Sequence, residues 1–148
     1  MSLNVITLKN TAIYSAIFGA GLGVCALIPA LMPVISLFLL PFLSGIIVLL
    51  ALKKLSPATL NDLSTRDFAI LGGISGTICL AAFLIIFSPM VLILKILIKN
   101  YYTYGIDFLN FFLASVLIAS IMLIFFATNA AGGLLAGFLF NWFNEKSG

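Results

Sequence analysis

The amino-acid sequence predicts an all-α integral membrane protein, a bundle of four membrane-spanning helices in two hairpins with an interfacial helix between spans three and four. Composition is the first reason. Of 148 residues, 64% are hydrophobic and only 7% are charged, which is too little polar surface for a water-soluble domain of this size. The second reason is that the few charges are separated by apolar stretches long enough to cross a bilayer. In chain order, the predicted spans are about 10–31, 34–52, 65–88 and 120–143.

The uncharged stretch between Lys9 and Lys53 predicts the first two spans. As one helix it would be roughly 65 Å long, about twice the thickness of a bilayer's hydrocarbon core. Pro29 and Pro33 disfavour helix at the residues before them, so we predict that the chain reverses between them. Pro41 lies inside span two and is expected to kink it, which is tolerated where a neighbouring helix shields the freed carbonyl.

The start of span three carries a helix-start signal. Ser64 followed by Asp67 matches a capping box, and Leu63 with Phe68 occupies the positions of a hydrophobic staple. The span is therefore predicted to begin directly after Ser64 and to end before Pro89.

The residues after span three are apolar except for Lys95 and Lys99, which lie four apart on one helical face. This pattern predicts an interfacial helix over about 90–100, or alternatively a kinked extension of span three whose lysines snorkel. Three tyrosines follow closely, as is typical at headgroup depth. Asp107 is then placed to cap the next helix.

The last uncharged stretch is roughly 55 Å long as one helix, which is too long for one span and short for two. In one interpretation a helical extension over about 108–119 precedes a single span over 120–143. In the other, the chain turns near Asn129 and a short fifth segment returns. We favour the first, because Trp142 and Phe143 beside charged residues are typical of an interfacial anchor at the end of a span.

The distribution of lysine and arginine predicts that both termini are cytoplasmic. With four spans, the side that carries the termini holds five of the seven basic residues, and the excess of basic residues marks the cytoplasmic side. These five are Lys9, Lys53, Lys54, Arg66 and Lys146, and the two on the other side are Lys95 and Lys99.

Small residues at helical spacing run along three of the predicted spans. Because lipid tails are as apolar as leucine, helices in a bilayer associate through close backbone approach, which small residues permit. Two interpretations stay open: these faces contact one another within one chain, or they mediate self-association or packing against a larger membrane complex. The residues are Ser15, Gly19, Gly23, Gly72, Gly76, Gly133 and Gly137.

Asn129, beside Thr128, carries the side-chain amide that we expect well inside a span. An amide in this position tends to hydrogen-bond to another helix. The alternative interpretation is a polar point on a solute path, together with Ser75 and Thr77.

Several function classes lack the residues they need. No Asp, Glu or Arg lies deep in an apolar stretch, so a proton relay or a carboxylate-dependent antiporter is not expected. The chain has no histidine and its two cysteines lie in separate apolar stretches, so we expect no metal, no cofactor and no enzymatic activity. Basic residues form no patch, which argues against nucleic-acid binding.

These observations favour a structural or accessory-subunit membrane protein, with the bilayer as its solvent and a homo-oligomer or a larger membrane complex as its partner. The alternative is a passive transporter or channel formed by an oligomer. A third hypothesis, a lesion-forming toxin of the holin type, would use the small-residue faces for dense lateral assembly.

Overall fold

The computed structural model describes residues 5–28, 30–55, 60, 63–97 and 108–146. These residues are helical apart from short turns, and no strand occurs among them. The elements are α1 (Val5–Cys25), α2 (Met32–Val34), a π-helix (Ile35–Leu43), α3 (Ser44–Leu55), α4 (Thr65–Leu97) and α5 (Phe108–Lys146).

Four helical stretches are long and apolar enough to cross a membrane, which confirms the predicted helical class and the number of such segments within the described part of the chain. The first differs most from its prediction, because α1 begins at Val5 and ends at Cys25, whereas we predict residues 10–31. After Cys25 the backbone hydrogen bonds join residues three apart instead of four, as in a turn. The Ile28 N–H donates to the Cys25 carbonyl oxygen over 3.1 Å. The four stretches are Val5–Cys25, Ile35–Leu55, Thr65–Met90 and Ser120–Trp142.

Pro41 lies within the π-helix Ile35–Leu43. In a π-helix each N–H bonds five residues back instead of four, so the helix is wider and its register changes where it joins an α-helix. The predicted second span therefore continues through Pro41 and passes into α3 at Ser44.

The helix α4 continues through Pro89 to Leu97, so the residues after Pro89 extend this helix instead of forming a separate one. A proline removes one intrahelical hydrogen bond, and its fixed φ remains compatible with the helix. The last part of the predicted interfacial helix (98–100), the tyrosine cluster and Asp107 lie outside the described residues.

The helix α5 is unbroken over 39 residues, roughly 58 Å in length. It passes straight through Asn129, so the alternative of a turn there with a returning fifth segment is wrong. The predicted extension and the last span are two parts of this one helix.

Contacts between glycines and their neighbours fix the relative directions of the helices. Gly19 packs against Cys79 and Gly23 against Phe83, so α1 and α4 run in the same direction. The order is reversed between α4 and α5, since Gly137 packs against Phe68, near the start of α4.

The helix α3 follows the direction of α5. Ile46 packs against Gly132, and further along both helices the Lys53 ammonium lies 4.1 Å from the centre of the Phe140 ring. It follows that α1 and α3 are antiparallel, with the start of α1 and the end of α3 at the same end of the bundle.

The core lies between α4 and the helices around it, while much of the outer surface is also apolar. Side chains such as Leu123 and Ile85 are 74% and 69% exposed, which water would penalise and a lipid solvent would not. The large apolar side chains that are most completely buried are Leu40, Val48, Leu49, Leu52 and Leu71.

Candidate functional site

The polar centre of the bundle is the side chain of Asn129, which is 0% exposed. Its Oδ1 accepts a hydrogen bond of 2.7 Å from the backbone N–H of Gly45. The same oxygen lies 3.0 Å from Ser44 Oγ, whose hydroxyl also lies 2.8 Å from the Leu40 carbonyl oxygen. The amide oxygen on α5 is therefore held by the first residues of α3.

The amide nitrogen of Asn129 is held by backbone carbonyls. Nδ2 donates to the carbonyl oxygens of Leu40 and Pro41, each over 3.1 Å, and lies 3.0 Å from that of Phe125 in its own helix. An α-helical bond from the Gly45 N–H would use the Pro41 oxygen, four residues back, and a π-helical bond would use the Leu40 oxygen, five back. The amide thus bridges the backbone where the π-helix joins α3.

Three glycines make room for this amide. We call the space bounded by Gly45, Gly72, Gly76 and the Leu40 and Pro41 carbonyls the Asn129 niche. A Cβ at Gly76 would overlap the Asn129 side chain, and one at Gly45 would lie 3.0 Å from its Oδ1. A Cβ at Gly72 would overlap the Asn129 backbone oxygen. The three helices can approach this closely only because these positions carry no side chain.

A second close approach joins α1 to α4. A Cβ at Gly19 would overlap the Cys79 carbonyl oxygen and lie 2.8 Å from Cys79 Cα. Cys79 Sγ donates to the Ser15 carbonyl oxygen over 3.2 Å. At Gly23, a Cβ would lie 3.1 Å from the Phe83 carbonyl oxygen.

The α1 side of this contact includes two residues that the sequence reasoning missed, Thr7 and Thr11, both buried. Together with Ser15 they continue the four-residue spacing of the glycines. Each hydroxyl of Thr11 and Ser15 donates to the carbonyl four residues earlier, over 2.8 and 2.6 Å. A hydroxyl that bonds to its own helix can be buried in an apolar contact. The four-residue spacing in the sequence would therefore have been enough to identify Thr7 and Thr11.

A third close approach joins the start of α4 to the end of α5. A Cβ at Gly133 would overlap the Phe68 carbonyl oxygen, and one at Gly137 would lie 2.8 Å from the Phe68 ring. The Phe68 ring also meets the Phe140 ring edge to face, with 5.5 Å between their centres. All seven small residues of the predicted faces lie at contacts within the chain.

The hydroxyl groups of the other predicted polar residues donate to backbone carbonyls. Ser75 and Thr77 donate to the carbonyl oxygens of Gly72 and Gly73 over 2.9 Å. Thr128 donates within α5 to the Ile124 carbonyl oxygen, also over 2.9 Å. Each hydroxyl is therefore bonded to its own helix.

The start of α4 has the geometry of a capping box. Asp67 Oδ2 accepts from the Ser64 N–H at 3.1 Å and from Ser64 Oγ at 2.8 Å. Ser64 Oγ in turn lies 3.3 Å from the Asp67 N–H. The Asp67 carboxylate is 5% exposed, so these bonds supply part of the solvation that burial removes.

These arrangements support packing more than chemistry. In the part of the chain that the structure describes, no three His, Cys, Asp or Glu side chains come together as metal ligands would. The amide of Asn129 uses both its oxygen and its nitrogen on protein atoms. Comparisons of this chain with protein-family models, with curated proteins and with solved structures give no match.

Proposed function

We propose that the protein is a non-enzymatic, multi-pass membrane protein that serves as a structural or accessory subunit of a larger membrane assembly. Its four apolar helices cross the bilayer as two hairpins with both termini in the cytoplasm. The observation that carries this proposal is the hydrogen bonding of Asn129, whose amide links α5 to α3 and leaves no group free to bind a solute.

The polar groups inside the bundle favour a structural role over a solute path. A path for ions or polar solutes needs donors and acceptors that face a water-filled space. Ser75 is 0% exposed and bonded to its own helix, and Asn129, also 0% exposed, is packed against Gly45, Gly72 and Gly76. The interior is thus suited to holding the helices together.

The outer face of the bundle is where a partner would bind. Leu135 and Phe138 on α5 are 62% and 66% exposed, so this face meets lipid or another apolar helix.

Purification from the native membrane tests this proposal. A tagged full-length chain is extracted in mild detergent, and the particle mass and every co-purifying protein are determined. The proposal predicts a stoichiometric second protein. Replacing Leu135 and Phe138 with Ala is expected to weaken that association if the exposed face of α5 binds it, whereas the control Leu50→Ala, at an exposed position on α3, leaves the association intact.

The opposite result favours the passive transporter or channel. A discrete homo-oligomer with no second protein, which conducts ions or small solutes when placed in vesicles, would overturn the accessory-subunit proposal. Depolarisation of cells on induced expression would instead favour the lesion-forming hypothesis, because an accessory subunit leaves the membrane potential unchanged.

A further inference from the structure

An apolar groove lies between α1 and α3. Its volume is about 180 Å³, and it is open on one side. The buried side chain of Val48 contributes to its wall. Six residues line it: Tyr14, Ile17, Phe18, Ile47, Val48 and Ala51.

The groove is short along both helices. The lining residues extend from Tyr14 to Phe18 on α1 and from Ile47 to Ala51 on α3, about 6 Å of helix in each case. A partner helix packs over several turns and would need a longer surface. A lipid acyl chain is slender and apolar, so part of one suits a short apolar groove of this volume.

Basic residues lie at one end of the groove. Lys9 lies about 7.5 Å before Tyr14 along α1, and Lys54 lies about 4.5 Å after Ala51 along α3. Because α1 and α3 are antiparallel, both lysines lie at the same end of the groove. Both lysines are exposed. Lys54 lies seven residues after Ile47, which places it on the groove-lining face of α3.

The helices that line the groove carry no acid to balance this charge, and Asp67, on α4 at the same end of the bundle, accepts hydrogen bonds from Ser64. The first acidic residue of the chain is Asp62, so α1, the π-helix and α3 carry lysines and no carboxylate. Lys53 differs from the other two because its ammonium lies over the Phe140 ring, towards α5. Lys54 is therefore the cation on the groove-lining face, and Lys9 adds a second positive charge at the same end, on another face of α1.

From the groove and its flanking lysines we infer a binding site for an anionic glycerophospholipid. One acyl chain occupies the groove between α1 and α3, and the phosphate lies at the Lys54 ammonium, at the end of the bundle where Lys9 adds a second positive charge. Lysine side chains at the end of a membrane helix reach the headgroup layer, where they attract anionic lipid.

Lipid binding by the purified full-length chain tests this site. The probes are phosphatidylglycerol and phosphatidylcholine with identical acyl chains, titrated in mild detergent and followed by native mass spectrometry. The wild type is expected to bind phosphatidylglycerol more tightly. Lys54→Gln is expected to lower that affinity about fivefold and Lys9→Gln to lower it less, and neither is expected to change the affinity for phosphatidylcholine.

Arg66→Gln is the matched control. It removes one exposed positive charge at the same end of the bundle, from α4, which does not line the groove. Equal binding of the two lipids by the wild type would overturn the proposal. An Arg66→Gln effect as large as that of Lys54→Gln would also overturn it, because it would indicate general electrostatic attraction.

The variant Ala51→Leu tests the groove itself, because the larger side chain fills it. The control is Leu50→Phe, which adds similar bulk at an exposed position outside the groove lining. The proposal predicts weaker binding of both lipids to Ala51→Leu and unchanged binding to Leu50→Phe. Unchanged lipid binding by Ala51→Leu would overturn the site. A dimer that Ala51→Leu abolishes would also overturn it, since the occupant would then be a second copy of the chain. The lysine variants lie at exposed positions, so they test the site even if Ala51→Leu fails to fold.

Discussion

The side-chain amide of Asn129 donates a 3.1 Å hydrogen bond to the carbonyl oxygen of Pro41, and its own oxygen accepts one of 2.7 Å from the N–H of Gly45. A side-chain amide has the same donor and acceptor as a peptide group. Asn129 therefore connects the two backbone groups that a regular α-helix would join directly. This bridge couples α5 to the point where the π-helix becomes α3.

Asn129→Ala is expected to destabilise the bundle. The substitution leaves the Gly45 N–H and the Pro41 carbonyl without their amide partner in an apolar interior, so we predict that the free energy of unfolding falls by about 2 kcal/mol. Reversible unfolding in mixed detergent micelles measures this change. Asn141→Ala is the control: this residue is exposed, its Nδ2 lies 3.5 Å from Thr65 Oγ1, and its loss is expected to have little effect. Equal losses in the two variants would contradict the bridge.

A double-mutant cycle separates the glycine contacts in the Asn129 niche. Gly76→Ala places a methyl group against Cβ, Cγ and Nδ2 of Asn129, so its cost is expected to fall by about 1 kcal/mol or more when residue 129 is already Gly. Gly72→Ala places one against the backbone of α5 and should cost the same in both backgrounds. The same unfolding assay measures these free energies. If Gly76→Ala lowers the free energy of unfolding by the same amount in both backgrounds, residue 76 and the Asn129 side chain are not in contact.

Two glycines in α1 give a matched pair for the contact with α4. Gly19→Ala is expected to lower the free energy of unfolding by about 2 kcal/mol, because the methyl group meets the Cys79 backbone. At Gly21 nothing lies within 4 Å of an added Cβ. Gly21→Ala is therefore expected to be neutral or to stabilise by up to about 1 kcal/mol, through helix propensity alone. Similar effects at the two positions would rule out the close approach of α1 and α4.

The capping box at the start of α4 predicts a smaller effect. Ser64→Ala removes the hydroxyl bonded to Asp67 and is expected to cost about 1 kcal/mol. Hydrogen exchange adds a local readout, since the first amides of α4 should lose protection in this variant. Ser88→Ala, at an exposed position before Pro89, is the control and should leave those amides unchanged.

The sequence identifies the parts of the Asn129 niche that depend on composition and spacing. Asn129 stands out as an amide in an apolar stretch, and Gly72 and Gly76 stand out by their spacing of four. The capping box at Ser64 can be predicted from the sequence because its hydrogen bonds join residues only three apart in the chain. Local patterns of this kind need no knowledge of which helices are neighbours.

What the sequence could not supply is the partner of the amide. A proline such as Pro41 is tolerated where a neighbouring helix shields the carbonyl that it frees, but the amide of Asn129 bonds to the carbonyls of Leu40 and Pro41 themselves. Their position depends on the π-helical register, which shifts bonds by one residue and has no clear sequence signature. The end of α1 at Cys25 depends likewise on how the following turn packs.

The central claim is that the polar groups inside the bundle hold its helices together and line no water path. Labelling of Ser75→Cys, with Cys25 and Cys79 replaced by Ala, tests it most directly. Intact membranes are treated with a small membrane-impermeant thiol reagent, and the detergent-denatured protein serves as the fully reactive reference. Since Ser75 is 0% exposed, we predict no labelling in the membrane and complete labelling after denaturation. Rapid labelling in the intact membrane would contradict the claim, because water would then reach the interior of the bundle.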